Sequence, residues 1–249
     1  MVTTSVRIDT FAYEAGGITC EAFVAEPEAR SSTPRPCVLV GHDWSGINDG
    51  IKQVVGSVAE LGFVAIALDV YGRGVRGDED GDNSHLMGPL LEDRRELQRR
   101  LLDGFEVAKG RPGVDPQRMA VLGYCFGGLC ALDLARQTPQ GLLGAISVHG
   151  GLTRPPWPTT AKLDLSILLL HGWSDPIVPD QDVLDIAEEL THAGADWQLH
   201  VYGHAQHAFT FRGAKFPERG IEYHPRAAQR AWRAICSFLQ DTLGDPSEL

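Results

Sequence analysis

The chain has 249 residues, of which 22 are basic and 33 acidic, so its formal net charge is −11. So acidic a surface repels nucleic-acid phosphates, and no basic patch stands out, so we expect no nucleic-acid partner. No apolar run approaches the length of a membrane-spanning helix and the first ten residues lack an apolar signal core, which predicts a soluble cytoplasmic protein without membrane contact. The five cysteines are an odd number scattered through apolar segments, which favours reduced thiols.

Strand-like and helix-like segments alternate along the whole chain. A hairpin is predicted first, with strands at 6–13 and 18–25 joined through a Gly-Gly turn. Further strands are predicted at 37–41, 63–68, 119–122, 143–148, 166–170 and 197–202, and helices at 51–61, 89–109, 126–135, 181–193 and 224–243. Since composition shows no break, this order predicts a single α/β domain over 1–249, with a mostly parallel sheet and helices on both faces.

The polar, glycine-rich stretch at 69–89 is predicted to be a solvated loop, with a lid over the site as the alternative. The predicted helix that follows, at 89–109, carries four arginines. These are expected to form a solvent-facing surface and to pair with nearby acids on the same helix. The arginines are Arg94, Arg95, Arg99 and Arg100, and the acids are Glu92, Asp93 and Glu96.

The strongest functional signal is Gly-Tyr-Cys-Phe-Gly at 123–127, between a predicted strand and a predicted helix. This is the nucleophile-elbow pattern, with Cys125 at the position where most such enzymes carry serine. Gly123 and Gly127 would relieve the crowding of so sharp a turn. The start of the helix would favour the thiolate of Cys125 and present the N–H of Phe126 to an oxyanion. A buried packing cysteine is the alternative, but it does not account for both glycines.

Polar residues follow other predicted strands at the same edge of the sheet, where open α/β sheets bind ligands. Asp175 follows the strand at 166–170, and His204 and His207 follow the last strand. With Cys125 they give the chain order nucleophile, acid, histidine of the α/β hydrolases. Either histidine could be the base. His207 is preferred because the apolar residues after it would fix its ring, whereas His204 directly follows a turn glycine.

Other histidine patterns favour simpler interpretations. The His-x-x-His spacing of 204 and 207 lacks the cysteine pair or His-Glu-x-x-His context of a zinc site, so no metal is predicted. His42, His149 and His171 each end a predicted strand and are expected to bind local backbone groups rather than to catalyse.

Five motifs, spread over nearly the whole chain, resemble those of the dienelactone hydrolase family. They are HDWSGIND at 42–49, ALDVYG at 67–72, GYCFGG at 123–128, HGWSDP at 171–176 and HAFT at 207–210. The resemblance implies an α/β hydrolase fold in which Cys125 is the nucleophile, His207 the base and Asp175 the acid that orients it. It also implies that the backbone N–H of Trp44 joins that of Phe126 as an oxyanion donor.

Two positions depart from the family pattern. The family often carries a glutamate that gates protonation of the thiol, and this chain has the shorter Asp43 at the matching position. The family also holds the substrate carboxylate with arginines, one of them shortly after the catalytic histidine. Here the matching position is Phe211, and Arg212 is the nearest candidate. The true substrate therefore need not be dienelactone itself.

The sequence thus predicts a cysteine-dependent hydrolase of small esters or lactones, monomeric or homodimeric, that needs no metal or organic cofactor. One alternative is a non-catalytic small-molecule binder on a hydrolase scaffold. Another is a thiol redox protein using Cys125 and Cys130. Their spacing puts the two thiols on different faces of a helix, and the Cys-x-x-Cys motif is absent, so the redox function is disfavoured.

Overall fold

The computed structural model describes residues 5–28, 33–78, 80–158 and 162–245. Eight strands form its main sheet: β1 Val6–Ala15, β2 Ile18–Pro27, β3 Arg35–Gly41, β4 Val64–Leu68, β5 Val114–Tyr124, β6 Leu142–Val148, β7 Ser166–Gly172 and β8 Asp196–Tyr202. Their order across the sheet is β1-β2-β4-β3-β5-β6-β7-β8. The first two pairings, β1 with β2 and β2 with β4, are antiparallel, and the other five are parallel. The predicted mostly parallel sheet is confirmed.

Six helices flank the sheet: α1 Asp49–Glu60, α2 Ser84–Glu92, α3 Arg94–Lys109, α4 Phe126–Arg136, α5 Asp180–His192 and α6 Pro225–Leu243. The buried side chains of α3, α4 and α5 share one core cluster, and those of α1 and α6 share the other. Helices on both faces leave the central strands without a solvent face, which is why β3, β4 and β7 are continuous apolar runs. Among the described residues, no helix is long and apolar enough to cross a membrane.

The predicted helix at 89–109 is wrong at its beginning, because the structure has two helices there. Asp93 leaves the helical region, with φ −110° and ψ 77°, and its side chain accepts a hydrogen bond from the backbone N–H of Glu96 at 3.0 Å. Asp93 therefore ends α2 and caps α3. The predicted loop at 69–89 is therefore too long, because α2 already begins at Ser84.

The expected solvent-facing surface of arginines is also partly wrong. Arg99 and Arg100 do pair with Glu96, as predicted. Arg94, however, is buried, and its Nε and Nη2 donate to the two carboxylate oxygens of Asp133 in α4 at 2.7 and 2.6 Å. Arg94 begins the helix face that buries Leu97 and Leu101, so helical periodicity places its side chain inward.

Candidate active site

The chain turns sharply at Cys125, between the end of β5 and the start of α4. Cys125 has φ 54° and ψ −117°, a strained conformation for a residue with a side chain. A Cβ at Gly123 would lie 1.8 Å from the carbonyl oxygen of Gly127, and a Cβ at Gly127 would lie 2.2 Å from that of Gly41. Backbone atoms cannot move far enough to accommodate a Cβ at either position. The turn therefore requires both glycines, as the sequence pattern predicted.

The thiol of Cys125 is the half-buried first group of a short hydrogen-bonded chain. The Nε2 of His207 lies 3.2 Å from the Sγ of Cys125. The Nδ1 of the same ring lies 2.8 Å from Oδ2 of Asp175. The other carboxylate oxygen of Asp175 accepts from the backbone N–H groups of Ile177 and Val178, at 2.8 and 3.3 Å. Asp175 is therefore held in one orientation, and its Oδ2 fixes the orientation of the His207 imidazole.

The charge state of His207 follows from these neighbours. Burial by itself would lower the pKa of His207, but attraction by the Cys125 thiolate, together with the hydrogen bonds and charge of Asp175, outweighs it. The net effect raises the pKa of His207 to about 10. At neutral pH the His207 ring is thus protonated, with the N–H of Nε2 3.2 Å from the sulfur of Cys125.

The loop that carries His207 is held by a small hairpin that the sequence did not predict. Its strands, β9 Lys215–Phe216 and β10 Ile221–Glu222, are too short to show a period. The N–H of His207 donates to the carbonyl of Gly220 at 2.9 Å, and Glu222 donates back to the carbonyl of His207 at 3.2 Å. A Cβ on Gly220 would lie 2.0 Å from Pro176, so this glycine lets the hairpin pack on the loop of Asp175.

His204, the alternative base, lies outside this chain of hydrogen bonds. It is solvent-exposed, in the left-handed region at φ 63°. The structure therefore brings Cys125, Asp175 and His207 together and leaves His204 on the surface.

Trp44, in the loop after β3, lines the same cavity as Cys125. The hydroxyl of Tyr71 donates to the carbonyl oxygen of Trp44 at 3.0 Å, which orients the peptide. Among the backbone hydrogen bonds of the described residues, none has the N–H of Trp44 or Phe126 as its donor. That both amides donate to an oxyanion stays a prediction.

Asp43 lies at the start of this loop and is bound within it. Its Oδ1 accepts from the backbone N–H and the hydroxyl of Ser45 at 2.8 and 2.7 Å. Its Oδ2 accepts from the side-chain amide of Asn48 at 2.8 Å. Both carboxylate oxygens therefore shape the loop that carries Trp44.

Two of the three strand-end histidines, His42 and His149, differ in the kind of group that they bond. His42 bonds backbone groups, as predicted, through the carbonyl of Asp43 at 2.7 Å and the N–H of Val70 at 3.3 Å. His149 instead bonds a side chain, since its Nε2 lies 2.8 Å from Oγ1 of Thr210. The ring of His149 also packs edge-on against that of His207, with centroids 5.3 Å apart. Burial lowers the pKa of His149, so it is a neutral neighbour of His207.

A cavity of about 1400 Å³ opens from Cys125 and His207 to solvent. Arg212 is exposed and Phe211 half-buried on its wall, so the sequence candidate for substrate contact does border the site. Asp80, Gly81 and Met87, from the predicted loop at 69–89, lie at the same mouth. Among the described residues, no group of three or more histidine, cysteine, aspartate or glutamate side chains could hold a metal ion.

A thiol on a strained turn, between a parallel strand and a helix, bonded to a histidine that is bonded to an aspartate, defines the α/β hydrolase class. The model of the dienelactone hydrolase family matches residues 20–243. The chain therefore belongs to the dienelactone hydrolase family, as the sequence motifs indicated.

Relatives of known name and structure agree with this assignment. A protein of Aquifex aeolicus, provisionally named carboxymethylenebutenolidase, is 27% identical over 93% of this chain and 97% of its own length. A protein of Escherichia coli K12 with the same provisional name is 28% identical over 93% of this chain and 86% of its own. A dienelactone hydrolase-like promiscuous phosphotriesterase from metagenomic libraries has a similar structure, with a TM-score of 0.90 and 30% identity over 96% of this chain and 99% of its own.

Proposed function

We propose that this protein hydrolyses small esters or lactones through a cysteine nucleophile and a thioacyl intermediate. The observation that carries the proposal is the continuous chain from Cys125 through His207 to Asp175, with contacts of 3.2 and 2.8 Å. The provisional name of the relatives, carboxymethylenebutenolidase, denotes hydrolysis of a lactone and supports this substrate class.

In the first half of the proposed reaction, the thiolate of Cys125 attacks the ester carbonyl and forms a C–S bond. The carbonyl oxygen becomes an oxyanion, which accepts hydrogen bonds from the N–H groups of Trp44 and Phe126. When the tetrahedral intermediate collapses, the C–O bond breaks and the leaving alkoxide takes the proton from Nε2 of His207. The products of this half are an alcohol, or the freed hydroxyl of an opened lactone, and a thioester on Cys125.

In the second half, the now neutral Nε2 of His207 takes a proton from water. The resulting hydroxide attacks the thioester carbon, and the same two amides hold the oxyanion. Collapse expels the thiolate of Cys125 and releases the carboxylic acid, while His207 keeps the proton that the resting pair requires. Asp175 accepts a hydrogen bond from the Nδ1–H of His207 throughout, without taking the proton, and stabilises the imidazolium in both halves.

Two further roles belong to this proposal. Arg212, at the mouth of the cavity, binds a carboxylate on the substrate, which its exposed guanidinium can do at modest strength. Asp43 gates protonation of the Cys125 thiol indirectly. Its carboxylate oxygens bond Ser45 and Asn48 and so position the loop that carries Trp44. We also retain the predictions of one hydrolase domain over 1–249, a monomer or homodimer, and a cytoplasmic location.

The test is hydrolysis of a panel of p-nitrophenyl acetate, a dienelactone, simple lactones and a phosphotriester, the last because of the structural neighbour. Wild type should turn over an ester or lactone, and Cys125→Ala and His207→Ala should each lower kcat/KM by about a thousandfold or more. Cys130→Ala is the matched control, because Cys130 is a buried thiol five positions further along the same helix. It should keep wild-type activity, and its loss of activity would instead favour the redox function.

Mass spectrometry of the quenched reaction supplies the second measurement. An acyl adduct on the peptide that contains Cys125 is expected during turnover. Binding of the panel compounds without turnover by the wild type would support the non-catalytic binder. Full activity of Cys125→Ala would overturn the mechanism.

A further inference from the structure

The cavity at Cys125 continues as a groove between α1 and α6, away from the reacting groups. Both helices start beside the site. Helix α1 is capped by Asn48, which also bonds Asp43 in the loop of Trp44. Helix α6 follows His224, whose N–H donates at 3.0 Å to the carbonyl of Phe209, two residues after His207. Helix α1 ends at Glu60, just before the start of β4, and α6 reaches the start of β6, where a Cβ at Gly144 would contact Phe238. Both helices therefore run toward the opposite edge of the sheet, away from the thiol.

The wall residues of the groove give its length. On α1 they extend from Gly50 to Ser57, and on α6 from Pro225 to Ile235. At 1.5 Å per helical residue these stretches span about 10 and about 15 Å. A group about 10 Å long can thus lie along the groove while its carbonyl stays at Cys125.

Apolar side chains form the interior of the groove. Ile51, Tyr124 and Ile235 are buried, and the half-buried Trp232 of α6 packs against the core cluster that contains them. Phe211 closes the end nearest the site, and Gly50 makes room for it, since a Cβ there would lie 3.2 Å from the Phe211 ring.

The charged residues that α1 and α6 contribute to the groove, and their two glutamines, lie at its exposed edges. Gln53, Arg226 and Gln229 are all solvent-exposed, and Asp49 is bonded to Lys52 at 2.9 Å. No charged group therefore needs to be stripped of water when an apolar chain enters between the helices. Ligand cavities typically have about 300–1,000 Å³, so a volume of about 1400 Å³ exceeds what a small lactone fills.

We propose that this groove binds an elongated apolar group of the substrate, an alkyl chain of medium length or an aryl-alkyl group. The class of substrate is then an ester with such a group on one side of its carbonyl, rather than a compact polar lactone. This inference rests on the proposed hydrolysis at Cys125, and it narrows the class of substrates proposed for that reaction.

The experiment measures kcat/KM for two ester series with wild type. One series is the p-nitrophenyl esters from acetate to octanoate, and the other is the acetates of alcohols from ethyl to octyl. Burial of each methylene is worth roughly a threefold to fourfold gain. In at least one series kcat/KM should therefore rise at least tenfold over the first four added methylenes.

Blocking variants test whether the groove causes this preference. Ser57→Trp fills the far end of the groove. Gln53→Trp fills the groove one turn nearer the site, and it keeps the test valid if Ser57→Trp does not fold. Either should remove the gain with chain length and leave p-nitrophenyl acetate hydrolysis within about twofold of wild type. Trp232→Ala should also reduce the gain. Trp197→Ala is the matched control, because Trp197 packs on the core of the opposite sheet face, and it should keep the gain.

The possible failures are distinguishable. A flat chain-length profile in both series, with acetate hydrolysis that still depends on Cys125, overturns the groove inference and leaves the proposed function intact. A preference for long chains that survives both blocking variants in folded protein also overturns it. If wild type hydrolyses a lactone of the panel above but no ester of either series, the groove inference fails alone. If it hydrolyses neither these esters nor any lactone of the panel, the proposed function fails and the inference fails with it.

Discussion

At the scale of single residues, the site is defined by how its neighbours determine the charge of His207. The imidazole is buried, and burial opposes its protonation. The sulfur of Cys125, 3.2 Å from Nε2, and the carboxylate of Asp175, 2.8 Å from Nδ1, reverse that preference and raise the pKa of His207. His149 packs against the same ring but is itself neutral, because burial lowers its pKa, so it adds no competing positive charge.

This balance predicts a titration that depends on the sulfur. In wild type the imidazole of His207 should stay protonated through neutral pH and titrate near its pKa of about 10. In Cys125→Ala the attraction and hydrogen bond of the sulfur are lost, so the titration midpoint should fall, while Asp175 still holds Nδ1. Long-range ¹H–¹⁵N NMR measures both midpoints, with His207→Gln identifying the signal. Equal midpoints in the two proteins would refute the ion pair.

At the scale of elements, the elbow depends on backbone contact between β5 and α4. The close approach of Gly123 and Gly127 brings the start of α4 directly over the end of the strand. Packing of this kind allows no side chain, so the strain at Cys125 is maintained by the two elements around it rather than by the loop itself.

Two glycine substitutions separate this requirement from ordinary helix propensity. Gly123→Ala would place its Cβ 1.8 Å from a backbone oxygen, so we expect loss of folding or destabilisation by more than about 3 kcal/mol. Gly56→Ala is the control, since Gly56 lies inside α1 with nothing within 4 Å of its Cβ position. It should stabilise by about 0.5–1 kcal/mol. Urea unfolding gives both values, and a tolerated Gly123→Ala would contradict the steric argument.

The sequence predicted the elements with long apolar runs and the residues placed at strand ends. Motif, chain order and strand position together selected Cys125, Asp175 and His207, and the structure brings these three side chains together; their catalytic roles stay a prediction. The break between α2 and α3 was missed because the apolar period continues through it. Asp93 followed by Glu96 three residues later is a pattern of helix N-termini and is the signal that could have located the break. The hairpin of β9 and β10 was missed because two-residue strands carry no period. Their contact with His207 could not be found from residue types alone.

The buried position of Arg94 was missed for a different reason. A charged residue is expected at the surface unless a partner is known, and its partner, Asp133, lies 39 positions away in another helix. Such long-range pairs become visible only in the folded chain. Within the same cluster, Arg136 joins Asp133 to Glu189, so the network connects α3, α4 and α5 beneath the sheet.

At the scale of the whole molecule, three buried histidines make stability depend on pH. Burial lowers the pKa values of His42, His149 and His171 below the usual 6.5. As the pH falls below 6.5, the unfolded chain binds protons at these residues while the folded chain does not, so the free energy of unfolding must fall. The pKa of His207 is shifted in the opposite direction. Its contribution to the free energy of unfolding is lost as the pH rises from 6.5 to about 10, so it changes little below pH 6.5.

We therefore expect the protein to lose stability between pH 6.5 and 5.5, above the range in which carboxylates titrate. Each histidine that stays neutral when folded contributes a slope of up to about 1.4 kcal/mol per pH unit. Urea unfolding at several pH values measures the slope, and His149→Gln supplies the control, because glutamine keeps a polar group near Thr210 but cannot titrate. The variant's slope should be smaller by up to that amount. An unchanged slope would mean that His149 takes up a proton within the fold, which would place a positive charge beside His207 and weaken the protonated state on which the first half of the reaction depends.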